Sequence, residues 1–167
     1  MMRKFLLAMG VILFCSAPAL AQSAAPAVTT ASEAHVVTPK VEVFAGYSYL
    51  RQYGENYNGG VGAVTVNVNR WFGLTGDFSG YAPVDADDAT GFAVGGPRFT
   101  YRRGPVTPFM HIMGGAAFGG SDTAGALIVG GGVDAKVSKH VAIRIFSADY
   151  IATTFRSNNG RISAGIV

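Results

Sequence analysis

Between Gly59 and Tyr81 the chain reads GGVGAVTVNVNRWFGLTGDFSGY, two alternating segments joined by a short polar turn. Val64, Val66 and Val68 alternate with Thr65, Asn67 and Asn69; beyond the turn, Phe72, Leu74 and Phe78 alternate with Gly73, Thr75, Asp77 and Ser79. Successive side chains of a strand point to opposite faces, so a period of two over this length predicts a hairpin with one apolar and one polar face. On a helix the same valines would be scattered around the circumference.

The alternation recurs from Lys40 to the end. A first strand has Val41, Val43, Ala45, Tyr47 and Tyr49 on one face and Glu42, Gly46 and Ser48 on the other, with Phe44 and Leu50 breaking the pattern. After the central hairpin come a fourth strand over Gly91 to Arg102, a fifth over Val106 to Gly119, a sixth over Ala124 to Val137, a seventh over Val141 to Thr154 and an eighth over Arg161 to Val167. Pro97 has no ladder donor and predicts a bulge or a weakly paired position. Parity is lost around Phe146 to Tyr150, which predicts a bulge there. Asn69-Arg70-Trp71, Arg102 to Pro105 and Ser138 to His140 read as short turns. Arg51–Asn58, Tyr81–Ala89, Gly119–Thr123 and Phe155–Asn159 read as longer loops. Meander order with short turns at one end, longer loops at the other and strands of roughly 9 to 11 residues predicts an all-β, eight-stranded antiparallel up-and-down transmembrane β-barrel.

Charge sorts with the two ends. Lys40, Arg70, Arg102, Arg103 and Lys139 fall at the turn end with no acid. Glu55, Asp85, Asp87, Asp88 and Asp122 face only Arg51 and Arg156 at the loop end. The start of the chain carries an address: Arg3 and Lys4, an apolar run from Phe5 to Phe14, and Ala19-Leu20-Ala21 as a cleavage site predict a secretory signal over residues 1–21. Residues 22–39, rich in Ala, Thr, Pro and Ser, read as a flexible leader, and the barrel domain as 40–167. Cys15, the only cysteine, lies in the signal, so an exported mature chain has no intrachain disulfide. Removing Arg3 and Lys4 from the 13 basic residues leaves 11 against 10 acidic ones. A net +1 without a basic run argues against nucleic acid as a partner.

A membrane inverts the usual assignment of faces. The polar face carries Gly, Thr, Asn and Ser with isolated charges and lacks the lysines and glutamates that solvate an ordinary surface. Such residues suit the narrow interior of an eight-stranded barrel. Glu42, Asp77, Arg98, Asp134, Lys136, Arg144 and Arg161 are expected to form a structural charge network there, because an unpaired buried charge costs several kcal/mol. Trp71, Phe72, Phe99 and Tyr101 near the turns, and Tyr47, Tyr49, Tyr81 and Phe118 near the loops, are expected to form aromatic girdles.

The export signal together with VEVFAGYSYL, VNRWFGLTGDFSG, GGPRFTYRRG and GGGVDAKVSKHVAIR resembles the small outer-membrane β-barrel domain family, OmpA-like in its barrel. The resemblance spans Lys40 to Val167. It implies a Gram-negative-type outer membrane as location, outer-membrane lipid and lipopolysaccharide as surroundings, and insertion by the barrel-assembly machinery; it implies no particular activity. Barrels of this family usually end in an aromatic residue, whereas Val167 closes a short eighth strand here. Two readings follow, a truncated strand or weakened insertion.

No motif adds chemistry. His111 sits on the polar face without a nucleophile elbow, so a hydrogen-bonded structural histidine is expected. Asp85, Asp87 and Asp88 lack the spacing and terminal Glu of a calcium loop, and His35 reads as a solvated side chain. The glycine runs carry no GK[ST] and relieve crowding in a curved sheet. The expectation is therefore a monomeric outer-membrane protein with a structural or surface-interaction role, without catalysis, cofactor or metal. The alternatives are a narrow porin-like channel, a lipid-modifying barrel enzyme, and a soluble lipocalin-like ligand binder.

Overall fold

The computed structural model describes residues 38–52, 54–83, 89–120, 122–154 and 157–167. The expected signal, nearly all of the leader, and Asp85, Asp87, Asp88 and Arg156 lie outside the described residues. Eight strands follow in chain order: β1 (Val41–Gln52), β2 (Glu55–Asn67), β3 (Phe72–Pro83), β4 (Thr90–Thr100), β5 (Val106–Gly119), β6 (Asp122–Lys136), β7 (Ala142–Thr153) and β8 (Ser157–Ile166). Each pairs antiparallel with the next, and β8 returns to β1, closing the barrel as predicted. Closure removes the exposed strand edges that an open sheet would present. At its turn end β1 runs past β8, so Val41, Glu42 and Val43 have ladder partners on β2 alone among the described residues.

The central hairpin turns where Asn69 dictates. Its side-chain carbonyl accepts the backbone N–H of Trp71 at 2.8 Å and of Phe72 at 2.9 Å, the local bonding that favours Asn in turns. Val68 and Asn69 in turn donate to the Phe72 carbonyl at 3.0 and 3.1 Å.

The expected contrast between short turns and long loops is not what forms. Only two residues separate β1 from β2, and two separate β5 from β6, whereas four separate β2 from β3 and five each separate β4 from β5 and β6 from β7. The polarity of Arg51–Asn58 predicts a loop, but the backbone there goes on pairing: Arg51 faces Asn56 and Gln52 faces Glu55. Polarity excludes a residue from an apolar environment and says little about whether its backbone joins a ladder. Gly54 and Gly120, with φ of 91° and 58°, supply the positive φ that such tight hairpins demand.

Two irregularities resolve the other expectations. Between Gly95↔Gly114 and Arg98↔His111 the β4–β5 ladder lapses without changing register, so Pro97 is a weakly paired position rather than a bulge. In β7 the register shifts against both neighbours, between Phe146 and Arg144 on the β6 side and between Ser147 and Arg144 on the β8 side. Ile145 and Phe146 both face outward as a result, at 56% and 48% exposure, while Arg144 and Ser147 are buried. One bulged residue thus reconciles the two halves of the strand.

Candidate functional site

The closed sheet sorts side chains by parity. Large apolar groups such as Val43, Val64, Leu74, Phe78, Ile112, Leu127 and Ile162 are exposed on the outside, Phe78 at 65%. The buried set includes Thr65, Asp77, Arg98, His111, Asp134, Arg144, Asp149 and Arg161. The polar alternation of the sequence therefore points inward.

The interior charges form two clusters. Toward the turn end, Arg98 Nη2 donates to Asp134 Oδ2 at 2.8 Å, and Arg144 Nε donates to Asp134 Oδ1 at 2.8 Å. Glu42 lies 3.5 Å from Arg98 and is bonded directly to Arg102. The turn that holds Arg102 folds its guanidinium back over the interior, where it also donates to the Arg70 carbonyl at 2.9 Å. Aromatic rings complete this layer: Arg98 lies over Phe109 at 4.1 Å, and Arg144 over Phe44 at 4.0 Å and Phe109 at 4.3 Å. Ring faces attract a desolvated guanidinium, which accounts for Phe44 pointing inward against the apolar parity of β1.

Further along the axis Arg161 binds Asp77 through two nitrogens at 3.0 Å each and Asp149 through Nε at 2.7 Å. His111 Nε2 lies 2.8 Å from Asp149 Oδ1. A third layer, toward the loop end, is apolar: Leu50, Tyr81, Phe92, Met113, Ile128 and Ile151 pack together. Leu50, the other exception in β1, belongs here.

Of the seven residues expected in the network, Glu42, Asp77, Arg98, Asp134, Arg144 and Arg161 have ion-pair partners. Lys136 shares their parity but lies at the rim of β6, exposed, and has no ion pair among the described residues. Two members of the network, Arg102 and Asp149, escape the sequence reading. Asp149 falls just beyond the β7 bulge, and counting through a single extra residue places it inside; Arg102 shares the even parity of the buried Arg98 and Thr100, but its place among the turn-end charges hides that signal. Tyr81 also needs correction: it is 3% exposed, bonded through its hydroxyl to Ser48 at 2.9 Å, and faces the interior rather than an outer girdle. Its odd number on β3 matches Asp77 and Thr75, so parity outweighs its position near a strand end. Trp71, Phe99, Tyr101, Tyr47 and Phe118 are exposed on the outside.

Four arginines (98, 102, 144, 161) thus meet four carboxylates (42, 77, 134, 149), and a balanced set lets each buried charge find an opposite. Ser147 Oγ donates to Asp149 at 3.4 Å rather than to His111, and activation of a hydroxyl requires a base within hydrogen-bond reach. No group of three or more metal-ligating side chains occurs among the described residues.

A closed antiparallel meander, apolar outside and ion-paired inside, is the fold of the small outer-membrane β-barrels. Among solved structures the chain is similar to Neisserial surface protein A (NspA), with a TM-score of 0.59 and 18% identity over 75% of this chain and 93% of that one. It is also similar to Ail, the attachment invasion locus protein of Yersinia pestis, with a TM-score of 0.50 and 17% identity over 75% of this chain and 95% of Ail. At these identities the likeness is one of fold. No protein-family model matches the chain, and neither does any curated protein sequence.

Proposed function

We propose that the chain is an integral outer-membrane β-barrel with a structural or surface-interaction role, its lumen filled by its own side chains. The observation that carries this reading is the inverted polarity of the wall. Soluble monomers rarely expose contiguous apolar patches beyond a few hundred Å², whereas here apolar side chains from all eight strands face outward. In this reading residues 1–21 are an export signal cleaved before Gln22, residues 22–39 a leader, and the barrel a monomer inserted by the barrel-assembly machinery among lipid and lipopolysaccharide. The turn end, where the barrel segment begins, faces the periplasm.

A filled lumen is supported by ion pairs that cross the interior. Glu42 on β1 reaches Arg98 on β4, and Arg161 on β8 reaches Asp77 on β3, strands that are not ladder neighbours. The charges then act as internal braces, with no catalysis and no cofactor. Refolded in detergent, the protein is expected to migrate differently on a gel before and after boiling, and to give no steady conductance in a planar bilayer. A protein that stays monomeric and soluble without detergent would sink the membrane reading; an ohmic, ion-selective conductance would replace the filled lumen by a narrow pore.

A further inference from the structure

The two turns β2–β3 and β4–β5 lie side by side, joined where Thr100 N–H donates to the Trp71 carbonyl at 2.8 Å and Arg102 to the Arg70 carbonyl at 2.9 Å. Below them the outer wall holds a groove of about 380 Å³ lined by Trp71, Phe99, Tyr101, Pro108 and Met110. The rings of Trp71 and Tyr101 pack at 5.5 Å. Each carries an arginine: Arg70 lies over Trp71 at 4.8 Å, and Arg103 over Tyr101 at 5.7 Å. Both arginines are exposed, and none of the described acids is bonded to either. Arg102, beside Arg103 in the chain, is already committed to Glu42.

An apolar groove opening beneath two uncommitted guanidinium groups matches one kind of molecule, with a hydrocarbon tail and a phosphate-bearing head. We propose that this groove is a binding site for a single anionic phospholipid of the periplasm-facing leaflet. The proposal rests on the membrane reading above. An acyl chain lies against Trp71, Phe99, Pro108 and Met110, while Arg70 and Arg103 donate to the phosphate, the group for which guanidinium geometry is best suited. Stacking on Trp71 and Tyr101 holds each guanidinium at the headgroup level, so little ordering is needed on binding.

Trp71 is the only tryptophan in the chain, so its emission reports the groove directly. The test reconstitutes the full barrel in phosphatidylcholine vesicles containing either phosphatidylglycerol or phosphatidylcholine brominated on the acyl chain, and compares quenching. Phosphatidylglycerol is expected to be preferred about fivefold at low salt, a value in the range of surface attraction by one or two arginines. Arg70→Gln with Arg103→Gln brings the preference to near one, while Lys139→Gln, at the same end but outside the groove, leaves it intact. On the unaltered protein, about 1 M salt removes it, which keeps the test valid if the double variant fails to fold. Equal quenching by the two lipids in the unaltered protein, or an equal loss with Lys139→Gln, would overturn the site. Quenching by neither lipid would overturn the membrane reading and the site with it.

Discussion

Arg161 links two carboxylates at once in the middle of the barrel and is 2% exposed. Replacing it by Ala leaves Asp77 without its ion-pair partner and Asp149 with only His111 and the Ser147 hydroxyl. Breaking a buried pair from one side typically costs about 3–5 kcal/mol, so Arg161→Ala is expected to lower the denaturant midpoint of the detergent-refolded barrel steeply. Lys136→Gln, at the exposed rim, leaves the midpoint unchanged; equal effects of the two changes would show that the pairs do not brace the barrel. The contrast between these residues was only half legible in the sequence. Alternation puts Arg161 and Lys136 on the same face, but it carries no information on how far along the axis the solvent reaches. Nor does it name partners: Arg161 and Asp77 are 84 positions apart, and their meeting follows from barrel closure and register rather than from any local pattern.

At the level of the strand, β7 makes a prediction that parity alone can settle. Its ladders to β6 and β8 both slip by one at Ile145 and Phe146. Deleting Ile145 would remove both of these slips, leaving only the shift against β8 at Ile151 and Ala152, and keep Arg144, Ser147 and Asp149 inward, so the deleted protein should refold with its gel shift intact. Deleting Val129 from the regular part of β6 turns inward residues outward, as a one-residue slip always does, and should abolish refolding. A second comparison concerns close approach. A Cβ on Gly130 would meet Asp149 Oδ1 at 2.0 Å, whereas one on Gly114 would meet nothing within 4 Å. Gly130→Ala is therefore expected to cost stability in chemical unfolding by displacing Asp149 from His111 and Arg161, and Gly114→Ala to cost little. The bulge was legible as a loss of parity near Phe146. The strand extensions at Arg51–Asn58 were not, since polar residues in a ladder and polar residues in a loop look alike without knowledge of their cross-strand partners.

For the molecule as a whole, counting eight alternating segments was enough to anticipate closure, because an even meander of half-polar strands has nowhere else to put its last edge. What counting did not supply was the height of the wall. Strands of 12 and 13 residues in β1 and β2, and of 14 and 15 in β5 and β6, carry the ladder up to hairpins only two residues wide. If that end faces outward from the cell, an antibody, phage fibre or protease approaching there meets backbone already locked into hydrogen-bonded pairs at Gln52↔Glu55 and Gly119↔Asp122. Trypsin added to intact cells should accordingly spare Arg51, although its side chain is exposed, and epitopes grafted into these two hairpins should distort the barrel. A peptide displayed on this rim therefore belongs outside those two hairpins, whose paired backbone leaves an immune system little chain to learn.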